Sequence, residues 1–377
     1  MAQQDSTSQE EIHVGGISAL AMSWERVNRI KGVMRNDHLD GMFIGNLENI
    51  RYLSGFTGSD AALLLTEGEA YFLADSRYTT QAKEEVSGFE IIEYKKKIEG
   101  LSALMNDLGL RRMGFEPQHV TYQLHKEISE RVGACELIPV DENLRGIRAI
   151  KEDDEIARTR EAIDIATRSL RENIEWIKPG VQEREIALEL EFSMRRNGAD
   201  AIAFDTIVAS GGRSALPHGK SSAKEVQKGD SIIIDFGICY RGYHSDETCT
   251  FFCGKPSLRQ REVYQIVKDA HDKAIASVRA GKTAKELDAI ARGYIADAGY
   301  GDYFGHGTGH GVGLAVHEEP VIGPESRDIV EKGMIFTIEP GIYIPGWGGV
   351  RIEDMILVTE SGCEVLTQLS KEIEGIE

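Results

Sequence analysis

The sequence predicts two domains in tandem, an α/β domain followed by an α+β domain rich in antiparallel hairpins. Three observations carry this. The chain has 377 residues, too many for one domain of roughly 100–200 residues. Helical and strand-like stretches alternate as far as about Pro139, the pattern of an α/β domain. The stretch DENLRGIRAIKEDDEI, residues 141–156, is dense in charge and opens a long helical pattern. It places the boundary near 140–150, giving a polar tail over 1–21, a first domain over 22–145 and a second over 146–377.

Residues 1–16, MAQQDSTSQEEIHVGG, are polar and acidic, with neither a basic start nor an apolar core. They do not read as a signal peptide and are expected to be a frayed or partly docked tail. From Met22 to His38, Val27, Ile30 and Val33–Met34 fall on one side of a helix. Strand-like runs follow at GMFIG (41–45), AALLLT (61–66) and AYFLA (70–74), then a helix near 76–86 and a strand at FEIIEY. In the second domain a helix over 152–176 ends at the Lys178-Pro179-Gly180 breaker, and another over 182–197 stops at Gly198. Strands are expected near 203–209, 231–239, 244–253, 335–343 and 350–358, with helices near 258–279 and 284–299.

Composition excludes several classes. Hydrophobic residues make up 41% and charged residues 28%, as in ordinary globular proteins, and the formal charge is −19. So acidic a chain repels phosphate backbones and anionic lipid heads, which argues against nucleic acid and membrane partners. It is compatible with cation binding, although solubility alone accounts for it. No apolar run approaches the ~20 residues that span a bilayer. The five cysteines are odd in number and lack a CxxC, which reads as reduced thiols and a cytoplasmic location. Cys249 and Cys253, in TCTFFCG, read as small buried thiols rather than ligands.

The informative anomalies are acids and histidines in apolar surroundings. In SIIIDFGICYRGYHSDETCTFF, Asp235 follows three isoleucines. A two-residue turn at Arg241-Gly242 pairs residues whose numbers sum to 483, which puts Asp235 and Asp246 on one face as diagonal neighbours. Two such carboxylates repel unless a cation lies between them; the alternative is that Asp246 is a solvated turn residue. In MIFTIEPGIYIPGWGGVRIEDMILVT, Glu339 and Glu353 sum to 692, direct opposition across a three-residue loop centred on Gly346. A lone buried Glu could pair with Arg351, but two hairpins with the same device favour a metal. In FGHGTGHGVGLAVHEEP, the glycines make a helix costly, so an extended chain is expected, with His306, Thr308 and His310 on one face. Imidazoles near four carboxylates favour metal and acid/base chemistry over phosphate cradling. His317 and His218 would support them.

Taken in order, Asp235, Asp246, His310, Glu339 and Glu353 form a D–D–H–E–E series. Their contexts, IIIDFG, GHGTGHGVGLAVHEEP, TIEPGIYI and VRIEDM, resemble the pita-bread metallopeptidases, the family of methionine aminopeptidase, aminopeptidase P and prolidase. ENIRYLSGFTGSDAALLL (48–65) resembles the creatinase-type N-terminal domain of the proline-specific branch, so the likeness spans nearly the whole chain after about residue 22. The resemblance implies two divalent metal ions, manganese first, with cobalt or zinc as alternatives. Asp246 and Glu353 would bridge both ions, Asp235 would chelate one, and His310 with Glu339 the other. A hydroxide between the ions would be the nucleophile and Glu339 the general base and then proton donor. His218 and His317 would bind substrate and stabilise the oxyanion, with His306 and Arg351 supporting.

The implied substrates are peptides with proline at the second position, and the implied assembly is a homodimer. Within the branch, Val321 after Pro320 favours aminopeptidase P, because some prolidases of similar size resemble this chain but carry an Arg there. Prolidase, which cleaves Xaa-Pro dipeptides, is the alternative. A metal-free creatinase-like hydrolase or a non-catalytic binding homologue would have substituted ligand positions, whereas all five are intact here.

Overall fold

A computed structural model describes residues 19–140, 144, 146–373 and 375–376. The tail over 1–21 therefore lies outside the described residues as far as residue 18, as do 141–143 and 145 of the boundary segment. The chain divides into two compact units, Met1–Leu144 and Arg145–Glu377.

The first unit holds helix α1 (Ala19–Asn36), which starts three residues before the expected Met22. Its Val27, Ile30 and Met34 are buried. A six-stranded sheet follows: β1 (Gly41–Ile44), β2 (Ala62–Thr66), β3 (Ala70–Ala74), β4 (Glu90–Glu93), β5 (Arg112–Phe115) and β6 (Glu136–Pro139), in the order β4-β3-β2-β1-β5-β6. The β1–β2 and β2–β3 pairs are antiparallel and the other three are parallel. Strands β1 and β3 are buried throughout, as is β2 up to its last residue, which is why they read as unbroken apolar runs. The helices are α2 (Leu47–Ser54), α3 (Thr79–Glu85), α4 (Lys97–Asp107) and α5 (Tyr122–Ser129). Helix α2 was not among the expected elements. It is only eight residues long, bounded by the Asn46 side chain accepting from Asn49 N–H and by Gly55 at φ 79°.

The second unit opens with α6 (Asp153–Asn173) and α7 (Glu183–Arg196), both started by capping boxes. The strand expected over 203–209 is two pieces, β7 (Ala201–Ile202) and β8 (Ile207–Ser210). Strands β9 (Ser231–Phe236), β10 (Ile238–Tyr240), β11 (Tyr243–His244) and β12 (Glu247–Cys253) follow, then α8 (Leu258–Ala276) and α9 (Ala284–Asp297). Beyond them lie β13 (Gly309–Gly311), β14 (Glu318–Ile322), β15 (Ile335–Ile338), β16 (Gly341–Ile344), β17 (Gly348–Arg351), β18 (Asp354–Val358), β19 (Cys363–Val365) and β20 (Gly375–Ile376).

The strands form sheets β20-β12-β9-β8, β11-β10-β7 and β14-β13-β15-β18-β19, with β16 and β17 as a separate ribbon. One core packs α6 and α7 against β8, β9 and β12. A second packs α8 and α9 against the later strands. The unit thus has two halves, each a largely antiparallel layer backed by two helices, with β20 added to β12 in parallel.

Candidate metal centre

The register of the first hairpin matches the arithmetic. Asp235 lies opposite Thr248 and Cys239 opposite His244, each pair summing to 483. The turn falls at Arg241 (φ 48°) and Gly242 (φ 87°), the left-handed pair that a two-residue hairpin needs. Asp246 lies one step beyond the ladder and opposes Gly237. A Cβ at Gly237 would sit 2.1 Å from the Ser245 carbonyl oxygen, so only glycine permits this crossing. The Asp246 N–H points to the Met355 sulfur instead of a backbone carbonyl.

The second hairpin keeps the register of 692 on both sides of its acids. Ile338 opposes Asp354, and Gly341 opposes Arg351. Between them the ladder is broken. Glu339 N–H donates to Thr308 O at 2.7 Å and Glu353 N–H to Thr248 O at 3.2 Å. Both acids therefore sit where the sheet splits into β15–β18 and the β16–β17 ribbon.

The glycine-rich segment departs from its expectation in part. Bends at 306 and 308 break the alternation. Thr308 is fully buried and its hydroxyl donates to Asp288 at 2.8 Å, rather than sharing a face with the histidines. His306 and His310 do turn to one cleft. The close approach expected of the glycines is present: a Cβ at Gly309 would lie 1.9 Å from Thr337 O.

All nine candidate residues line this one cleft, of about 460 Å³: Asp235, Asp246, His310, Glu339, Glu353, His218, His306, His317 and Arg351. Ligand atoms of Asp246, His310 and Glu353 lie within 4.8 Å of one another. His310 Nε2 is 3.6 Å from Asp246 Oδ2 and 3.5 Å from Glu339 Oε1. Its Nδ1 faces Gly311 O at 3.1 Å, so Nδ1 carries the proton and Nε2 presents a lone pair to the acids. His317 packs beside it, with ring centroids 4.2 Å apart and the rings tilted by 57°. Asp235 Oδ1 is buried with no hydrogen-bond partner. An orphaned carboxylate oxygen among three further acids and one imidazole is a donor set that fits divalent ions, and its oxygen richness suits manganese.

The electrostatics point the same way. Burial pushes the Asp246 carboxyl well above the ordinary carboxylate range, and the charges of Glu353, Asp235 and Glu339 add to it. Glu353 is raised by burial, then by Glu339 and Asp235. Glu339 is raised by burial. Burial likewise lowers His306, His310 and His317. Arg351 is buried, which opposes its charge, yet Tyr343, Asp235, Glu339 and Glu353 hold it firmly protonated.

Several residues that position the acids were missed by the sequence reading. Thr248 donates to Glu353 Oε2 at 2.6 Å and accepts from Arg351 Nε at 3.1 Å. Tyr343 hydroxyl bridges Arg351 and His306, at 3.0 and 2.9 Å. Arg351 reaches Asp235 Oδ2 at 2.5 Å. Arg292 of α9 forks onto Asp288 and donates to the carbonyls of Phe304 and His306, gripping the glycine-rich segment. Thr248 was within reach of the register arithmetic, as the residue opposite Asp235; the others are joined only in three dimensions. Cys249 and Cys253 are buried in β12, and the thiol of Cys249 is pushed up to about 12 by burial.

Two largely antiparallel halves that converge four carboxylates and an imidazole on one cleft define the pita-bread class of hydrolases. Comparison with known proteins points to the same class. A model of "Metallopeptidase family M24" matches residues 157–360, and one of the "Creatinase/Prolidase N-terminal domain" matches 26–150. An Xaa-Pro dipeptidase of Pyrococcus horikoshii is 41% identical over 93% of this chain and 98% of its own. The solved structure of an Xaa-Pro dipeptidase from Bacillus anthracis superposes with TM-score 0.91 at 41% identity, over 94% of this chain and all of the other. An X-Pro aminopeptidase from Thermotoga maritima gives 0.85 at 41% identity, over 93% and 99%. The chain belongs to metallopeptidase family M24 and is a hydrolase of that family. Dipeptidase relatives support the prolidase alternative better than the aminopeptidase P reading drawn from Val321. Val321 lines the cleft, but one apolar position there carries less than likeness over the whole chain.

Proposed function

We propose that the protein is a prolidase, an Xaa-Pro dipeptidase that hydrolyses the bond before proline with two divalent ions, manganese first. The observation that carries the reading is full-length similarity to Xaa-Pro dipeptidases, together with a cleft in which four acids share the single buried cation among the described lining residues, Arg351, and Asp235 Oδ1 has no hydrogen-bond partner. The proposed domains are 22–145 and, for catalysis, 146–377. Asp235, Asp246, His310, Glu339 and Glu353 would hold the ions. When bound, the ions supply Lewis acidity that polarises a carbonyl and makes water a stronger acid.

This chain's residues do the rest. Glu339 accepts a proton from water and returns it to the proline nitrogen, which, as a tertiary amide, has no N–H of its own in the substrate. His218 and His317 are exposed in the cleft and would hold the substrate backbone and the developing oxyanion. Arg351 and Tyr343 fix Asp235 and His306. The free cysteines support a cytoplasmic location, and the family likeness supports a homodimer acting on small peptides.

The deciding experiment compares rates on Xaa-Pro dipeptides and Xaa-Pro-Xaa tripeptides after manganese reconstitution. Cleavage of dipeptides alone is expected. A preference for tripeptides would restore the aminopeptidase reading, which the Thermotoga maritima structure favours. No metal uptake at all would remove both.

A further inference from the structure

A dipeptide ends in a free carboxylate close to the bond that is cut, so a dipeptidase gains selectivity from a cation in the cleft that pairs with it. Recognition needs a cation whose donors are not already used. Lysine and arginine carry charge throughout the neutral range, and among the described residues lining the cleft they are Arg351 and Lys220. Four of the five Arg351 N–H donors are already engaged, and its charge is paired with Asp235. Its Nε donates to Thr248, one terminal nitrogen to Pro217 O and Tyr343, and the other to Asp235. Using it for substrate would leave Asp235 buried without its partner.

Lys220 is different. Its ammonium meets only the Asp205 carboxylate, at 3.4 Å, with the side chains 84% and 89% exposed. Such a pair contributes little and is readily exchanged for another anion. The backbone beneath it is fixed. Arg213 donates to Lys220 O at 2.6 Å, and the buried Glu183 binds Arg213 and both the N–H and hydroxyl of Ser222. The lysine is also two residues from His218, and both line the cleft. A fixed stem with a free head is what a flexible, water-facing cation needs to close on a small anion.

We propose that Lys220 is the specificity-determining residue that binds the terminal carboxylate of the Xaa-Pro dipeptide, and that Asp205 is the internal anion it exchanges for substrate. The assignment rests on the dipeptidase reading. Its consequence is a preference for Xaa-Pro over the same compound as its amide, which has the same scissile bond but no charge.

The test uses the manganese-loaded full chain and the ratio of kcat/KM for Xaa-Pro over Xaa-Pro-amide. In Lys220→Gln this ratio should fall about 10-fold, the low end for one charge-assisted contact at an exposed site. Lys220→Glu should lower it further. Asp205→Asn, which removes the competing anion, should raise it. Calorimetric binding of free proline should weaken in Lys220→Gln by a similar factor, and the wild-type ratio should fall with added salt. If the wild type shows no preference for the free carboxylate, the dipeptidase reading fails and the assignment with it. If the preference is present and survives Lys220→Gln, the assignment alone fails.

Discussion

The hairpin of β9 and β12 carries its ladder through Asp235 and lets go only at Asp246, whereas the hairpin of β15 and β18 lets go at both of its acids. In the first, one acid is held by strand pairing and Arg351, and the other is turned out at a glycine crossing. In the second, the backbone at Glu339 and Glu353 bonds to other segments, Thr308 and Thr248. The first hairpin is thus a rigid platform, and the second is stitched to it. The stitches are Thr248 and Thr250, whose hydroxyls bond Glu353 and the Arg351 backbone. A site built across two halves needs such links, because neither sheet alone fixes the distance between the acids.

The largest expected effect comes from removing an acid that both halves need. Asp246→Ala should lower kcat/KM on the order of 10³-fold or more, and manganese bound per chain, measured by elemental analysis, should drop. Retained cleavage would refute the metal reading.

The next concerns the opposite face of the same strands. Lys371 pairs with Glu247 and Asp354, each adjacent in sequence to a candidate ligand, one on each hairpin. All three are buried. Lys371→Met leaves the buried Glu247 without a counterion and Asp354 with only His271, and should destabilise by about 3–5 kcal/mol in denaturant titrations. A smaller loss would mean that Lys371 adds little to the links already made by Thr248 and Thr250.

Gly237→Ala drives a methyl into Ser245 O and should cost about 1–3 kcal/mol, with weaker manganese binding because Asp246 moves. Thr248→Val removes the donor to Glu353 and should cost about 1.5–3 kcal/mol at a charged acceptor. Its signature should be lowered metal affinity with little change in overall fold by circular dichroism.

The gentlest effect is on pH. Without metal, Asp246, Glu353 and Glu339 bind protons more tightly when folded than when unfolded, where their values are near 3.8 and 4.5. Their contribution is complete below those values and is lost as pH rises toward and through the raised folded ones. The melting temperature of chelated protein should therefore fall from about pH 4 upward relative to manganese-loaded protein. Parallel curves would show that the acids do not repel one another.

Much of this was legible in the chain. A strand's period of two and a glycine turn set register, so 483 and 692 located which acids share a face. The apolar runs of β1 to β3 were readable because both faces are buried. Helix α2 was not, since an eight-residue element depends on its caps and its packing more than on periodicity. The strand over 203–209 was read as continuous, but it is interrupted at 203–206, where Phe204 and Asp205 turn to the cleft. Thr308 was assigned to the wrong neighbours because bends at 306 and 308 override alternation.

By itself, the sequence determined the hairpins, their registers and the identity of five ligand-type side chains, because backbone pairing and turn chemistry are local. Only the tertiary structure decided that both hairpins face one cleft, that Arg351 is consumed by Asp235 and Tyr343, and that Lys220 is left with a weak partner. These depend on which side chains meet across β12, β17 and the segment at 211–222, separated by 100 residues or more in places. Burial is what gives those meetings their force, since a charge removed from water must find its partner wherever the fold has placed one.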